Sequence, residues 1–192
     1  MRMETASVVL RDFAAKDAES LCRIVREPEI ARFMHEWVER CPTVDKARAF
    51  IDAQQALKDA ADIQARRWLA IALPDSDDMV GMVGVGLHPL LREVEITYFM
   101  SEKYQWRGFT RAAVKALCSW CFSVSDIPYL ILVTDSANTP SGKLAESCGF
   151  TLLEKRTPVG RAKKIGGTFI MAAQNSVTVF SAFTAGHQKE GR

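Results

Sequence analysis

The chain has almost no excess of either charge, with 25 Lys and Arg against 23 Asp and Glu in 192 residues. Net charge therefore gives no electrostatic footprint for nucleic acid, and no specific nucleic acid is indicated. No apolar run approaches the roughly 20 residues of a membrane span, and the first residues, MRMETASVVL, lack the apolar core of a signal peptide. The expectation is a cytoplasmic protein without a membrane partner. The five cysteines, Cys22, Cys41, Cys118, Cys121 and Cys148, are odd in number and scattered, unlike a secreted disulfide framework. Cys118 and Cys121 lie inside a helical pattern, with no second pair or nearby His to complete a zinc set, so they read as core residues and no metal is expected. His35 and His88 belong to no catalytic constellation. Walker and dinucleotide-binding glycine motifs are absent.

What is present is an ordinary globular composition, 48% hydrophobic and 25% charged, organised around Glu93 to Val124. Glu93, Glu95 and Thr97 alternate with Val94, Ile96 and Tyr98, the period of a strand. From Arg111 the period becomes helical. Arg111, Lys115, Ser119 and Ser123 form a narrow polar stripe on an otherwise apolar helix. Gln105, Arg107 and Gly108 sit at the join, where a helix start offers unpartnered N–H groups and partial positive charge to an anion.

Taken in order, Val8 to Leu10 reads as a first strand, followed by a helix bearing Ala18, Leu21, Cys22 and Val25 on one face. Pro28 marks a break and a short second helix to about Met34. Thr43 is an N-cap candidate for a helix carrying Ala47, Phe50, Ile51 and Leu57 to about Ala61. Trp68 to Leu73 and Met79 to Leu87 form a hairpin about the turn 74–78. Gly81, Gly84 and Gly86 in its second strand imply a bulge or a closely packed neighbour. Tyr129 to Thr134 reads as a strand buried on both faces. Asn138, Thr139 and Pro140 open a short helix on which Ser141, Leu144, Ala145 and Cys148 share the inward face. Phe150 to Thr157 and Thr168 to about Val179 close the sheet around a basic stretch, Lys155 to Lys164. Residues 1–180 read as one domain and 181–192 as a polar tail.

Three motifs in this order resemble the GCN5-related N-acetyltransferase (GNAT) superfamily. Gln105-x-x-Gly108-x-Thr110 resembles its acetyl-coenzyme A diphosphate loop. Asn138-x-x-Ser141 with Gly149-Phe150, and Glu95-Ile-Thr-Tyr98, resemble the branch that includes ribosomal-protein N-terminal acetyltransferases. The resemblance runs from about Val8 to Gln174. It implies an α/β fold with a mixed central sheet of about seven strands flanked by about four helices, splayed at the central strands. It also implies acetyl-coenzyme A as co-substrate, an amine acceptor such as a peptide N-terminus or small amine, and leaves room for a homodimer. The chain departs from the pattern at Thr110, where Gly or Ala is usual, and at Ala145, where many members carry a tyrosine acid.

On that resemblance, the backbone at Phe99 and Met100 receives the pantetheine arm. The loop Gln105, Trp106, Arg107, Gly108, Phe109, Thr110 and Arg111 holds the diphosphate, while Asn138, Ser141 and Lys143 complete the cofactor site. Acetyl transfer further needs a base for the amine and an acid for the departing thiolate. Glu95 is the first candidate for the base, ahead of Glu93 on the same predicted strand face, and Ser141 is the candidate acid. The plainer readings are a solvated acidic face for Glu95, a backbone-bonded hydroxyl for Ser141 and a helix cap for Asn138. Phe33, Met34, His35 and Trp37 are expected either to wall the acceptor site or to pack in the core. The competing reading of the whole chain is a non-catalytic acyl-coenzyme A sensor, and a general nucleotide binder ranks behind both.

Overall fold

The computed structural model describes residues 1–57, 62–156 and 168–174. The basic residues Arg161, Lys163 and Lys164 and the tail from Ser181 lie outside them. Eight strands form one sheet: β1 (Arg2–Glu4), β2 (Val9–Arg11), β3 (Arg67–Ala72), β4 (Met79–Leu87), β5 (Val94–Met100), β6 (Tyr129–Asp135), β7 (Thr151–Arg156) and β8 (Thr168–Gln174). Their order is β1-β2-β3-β4-β5-β6-β8-β7, and every pairing is antiparallel except β5 with β6. Among the described residues six helices accompany them: α1 (Asp17–Ile24), α2 (Pro28–Phe33), α3 (His35–Arg40), α4 (Val44–Ala56), α5 (Phe109–Val124) and α6 (Thr139–Ser147).

The strand and helix counts exceed the expected seven and four for physical reasons. β1 is Arg-Met-Glu, with no apolar alternation of its own, and exists through its ladder with β2. The second short helix ends at Met34 as expected, its φ of −130° and ψ of 42° interrupting the helical path, and α3 follows as an additional helix. β5 begins at Val94, so Glu93 lies outside the strand and does not share a strand face with Glu95 as the alternation suggested. Its carboxylate instead accepts from the Tyr129 phenol, the main cause of that phenol's raised pKa.

Helices cover both faces of the sheet. On one side α5 contributes Ala113, Val114, Leu117 and Cys121 to a core with Val94, Ile96 and Met100, and α6 adds Ala145. On the other, α1 to α4 pack Leu21, Ile30, Trp37 and Ile51 against Trp68, Met82 and Phe99. Trp37 is the hub of this second core, meeting Trp68, Phe50 and Phe99 edge-on at centroid distances of 4.8, 5.2 and 5.6 Å. Each such contact adds about 0.5–1.5 kcal/mol beyond area burial. Trp68 pairs with Gly84 across the ladder, and a Cβ at Gly84 would fall 2.2 Å from its ring. The glycine in β4 is thus the seat of an indole. Cys118 and Cys121 are buried in the core, and burial pushes the Cys121 thiol up to about 12.

Before α1, a buried ion pair pins strand to helix. Arg11 donates to both Asp17 carboxylate oxygens at 2.7 and 2.9 Å, and Asp17 also accepts from the Ala14 N–H at 2.7 Å. Arg11 reaches Asp77 in the β3–β4 turn as well, at 2.7 Å. Hydrogen bonding from Lys16, with Arg11, holds the Asp77 carboxyl below its ordinary value.

Candidate active site

β5 and β6 share a single registered pair, Glu95 with Ile131, and beyond it their C-terminal ends part. A cleft of about 620 Å³ opens there, walled by β5 from Ile96, β6 from Leu132, the start of α5, α6 and one side of α2. Parallel neighbours that separate leave main-chain groups without a ladder partner, so an extended ligand can complete the sheet. Phe99 and Met100 line this gap.

At the cleft's polar end the chain turns into α5. Gly108 caps the helix with φ 80°, a left-handed conformation that glycine adopts without cost, and a Cβ there would meet nothing within 4 Å. The first intrahelical bond runs from the Ala112 N–H to the Gly108 carbonyl at 3.0 Å, so the N–H groups just ahead of it face an open space. Gly108, Thr110 and Arg111 line the cleft, with Lys143 on α6 opposite. Gln105 also lines it while its amide donates to the Met100 carbonyl at 3.0 Å, bracing the loop on the strand end. Two residues of the expected loop stand elsewhere. The Arg107 guanidinium lies 5.5 Å over the Tyr104 ring, and Phe109 packs against the core.

At the other end, α6 meets β5. Asn138 caps α6, its side-chain oxygen accepting from the Ser141 N–H at 3.2 Å. The Ser141 hydroxyl lies 2.9 Å from the Tyr98 hydroxyl, which is also 3.1 Å from the Ser141 carbonyl. Ser141 therefore faces inward, as its helical spacing implied. Burial drives the Tyr98 phenol well above its ordinary value, the Ser141 bond pulling only partly against it. At neutral pH this phenol is a protonated hydrogen-bond donor. Ala145, one turn on, is fully buried and offers no acid.

Glu95 is 8% exposed, which replaces the solvated-face reading of the alternating acids. Its Oε2 accepts from Arg66 at 2.9 Å, and Arg66 also donates to the Thr97 hydroxyl at 3.2 Å and the Leu87 carbonyl at 2.9 Å. Thr97 lines the cleft and Glu95 stands one step behind it on the same strand face. The predicted apolar wall divides likewise: Phe33 and Met34 line the cleft, Trp37 is core, and the His35 side chain is exposed.

A link that sequence reasoning missed joins α2 to the end of β5. Glu27 accepts from the Ser101 hydroxyl at 2.8 Å and from the Glu102 N–H at 2.6 Å, while the Glu102 carboxylate accepts from the Glu29 N–H at 2.9 Å. Each segment caps the other. No local signal announces a bond over more than 70 residues, and Glu27 reads only as an acid before Pro28. Tyr98 was legible in part, since it completes the Glu95-Ile-Thr-Tyr98 motif and shares its period with Ile96. Among the described residues, no group of three or more His, Cys, Asp or Glu is placed to hold a metal. Nor is any helix among them long and apolar enough to cross a membrane.

A family model matches most of the chain that builds this cleft. The acetyltransferase (GNAT) domain covers residues 7–151. The chain belongs to that GNAT family. As a GNAT protein it is an acetyl-coenzyme A-dependent N-acetyltransferase, with acetyl-coenzyme A as co-substrate. A relative named uncharacterized N-acetyltransferase p20, from Bacillus licheniformis, is 27% identical over 148 residues, spanning 76% of this chain and 80% of the relative. The fold matches an acetyltransferase (GNAT family) from Bacillus anthracis with a TM-score of 0.75 at 18% identity, over 91% of this chain and 98% of that one. RimL, a ribosomal L7/L12 alpha-N-protein acetyltransferase solved in complex with coenzyme A, gives the same TM-score at 15% identity, over 91% and 98% of the two chains. The GNAT sheet here is mixed and open, with its parting at the central strands.

Proposed function

We propose that this GNAT enzyme moves the acetyl group to a primary amine, a peptide N-terminus or a small amine, by direct attack within a ternary complex. The observation that carries the reading is one cleft with an anion-binding helix start at one end and the Tyr98–Ser141 hydroxyl pair at the other. The residues fit the co-substrate by chemistry. The α5 N–H groups, Arg111 and Lys143 suit a diphosphate, the Thr110 hydroxyl is a further donor to it, and the open β5 edge suits the amide-bearing pantetheine arm. Bound there, acetyl-coenzyme A supplies the activated acyl carbon.

The chain's own residues then have separable tasks. A main-chain N–H near Phe99 or Met100 polarises the thioester carbonyl. The amine loses its proton to Glu95 through a water on the Thr97 side. The amine nitrogen bonds to the acyl carbon, the carbon–sulfur bond breaks, and the Ser141 hydroxyl gives its proton to the thiolate and takes one back from solvent. Ile30 and Phe33 of α2, with Met34 just after it, form the apolar wall beside the acceptor.

Thiol release from acetyl-coenzyme A, measured over a panel of N-terminal peptides and small amines, tests the function. Turnover with one class fixes the acceptor, whereas tight cofactor binding with no turnover on any amine makes the chain a sensor. For Glu95→Gln, turnover is expected to fall roughly 10²-fold, with acetyl-coenzyme A affinity retained. Unchanged kinetics would remove Glu95 from the reaction.

A further inference from the structure

Trp106 is unusual in both backbone and side chain. Its φ of 64° places it in the left-handed region, which bulky residues rarely occupy. Its side chain is the only exposed aromatic one among the described residues, at 82%, yet it lines the cleft. A residue that occupies a disfavoured conformation to hold an indole in water has a surface to offer, because burial in the protein is not what keeps it there.

The order of groups along the cleft says what that surface meets. Acetyl-coenzyme A carries its thioester at one end, a diphosphate in the middle and a 3′-phosphorylated adenosine at the other. On the function proposed above, the thioester lies by Tyr98 and Ser141, which are half-buried, and the diphosphate lies at Gly108. The adenosine must then leave the cleft on its solvent side. Trp106, two residues before the helix cap, lines the cleft while exposed, as do the cations Arg111 near it in sequence and Lys143 on α6. A flat, solvated indole beside phosphate-binding groups is suited to stack a nucleobase.

We propose that Trp106 is a stacking platform for the adenine ring, and that through it the enzyme selects acyl donors carrying a nucleotide over acyl-phosphopantetheine donors that lack one. The proposal rests on the acetyltransferase reading and deepens it by naming the donor class. Stacking of one base on an aromatic ring corresponds to roughly five- to hundredfold in affinity.

Calorimetric titration with acetyl-coenzyme A and with acetyl-4′-phosphopantetheine, which ends at the phosphate, tests it. The wild type is expected to bind acetyl-coenzyme A at least about tenfold more tightly, with indole fluorescence quenched by that probe alone. Trp106→Gly, which removes the ring and suits the positive φ, is expected to weaken acetyl-coenzyme A by about tenfold and leave the phosphopantetheine probe unchanged. Trp106→Phe, which keeps a ring, is expected to hold acetyl-coenzyme A within about threefold of wild type. Equal losses for both probes in Trp106→Gly, or no loss for either, overturn the stacking role while leaving the acetyltransferase reading intact. Failure of the wild type to bind either probe overturns both.

Discussion

Replacing Ser141 by alanine is expected to lower the turnover number by about 10²-fold, or roughly 2.7 kcal/mol, while acetyl-coenzyme A affinity stays within about threefold. The split follows from the geometry. The Ser141 N–H bond to Asn138 survives the substitution, so α6 keeps its cap, and only the hydroxyl facing Tyr98 is lost. The phenolic proton of Tyr98 can serve either the Ser141 hydroxyl or its carbonyl. When it serves the hydroxyl, the serine proton is free to pass to the thiolate. Tyr98→Phe is therefore expected to cost less than Ser141→Ala, and the double variant no more than the serine change alone, because the two act as one unit. Steady-state kinetics of the three variants with one acceptor amine decide the matter. An unaltered turnover number in Ser141→Ala would give the proton to a water.

The largest loss of stability is expected from Asp17→Ala. Asp17 is 2% exposed and meets Arg11 through two parallel hydrogen bonds, the strong form of this pair. Burial opposes the charge on Arg11, and the bonds from Asp17 and Asp77 outweigh it, holding its pKa up. Removing Asp17 leaves a buried guanidinium with Asp77 as its one carboxylate partner, beside the Asp12 and Asp77 carbonyls, and an Ala14 N–H without its acceptor. A broken buried pair costs about 3–5 kcal/mol, which in a domain of this size lowers the melting temperature by roughly 10 °C. Urea unfolding monitored by circular dichroism measures it. A loss below about 1 kcal/mol would mean that Asp77 alone satisfies Arg11.

Periodicity made most of the architecture legible. The shift from strand to helix near Arg111 located β5 and α5, and the glycines of β4 announced a packed neighbour that proved to be Trp68. Elements without a hydrophobic period of their own, β1 and the six-residue α3, were not anticipated, although the end of α2 near Met34 was. In the cleft, sequence spacing reached Ser141 and Asn138, which lie within one helical turn. It did not reach Arg66, whose bonds to Glu95 and Thr97 join positions about 30 residues apart. Alternating acids carry the same pattern whether solvated or buried, so only the three-dimensional neighbours tell which Glu95 is.

On the proposed placement of the substrates, the exchange of caps between Glu27 and Glu102 ties the wall beside the acceptor to the loop that holds the donor. Each carboxylate holds an N–H of the other segment, so α2 cannot recede from the end of β5 without both bonds breaking. Loading the donor and seating the amine then draw on one shared equilibrium. By linkage, any change at Glu27 that alters amine affinity through this tie must alter acetyl-coenzyme A affinity by the same factor once the other ligand is bound.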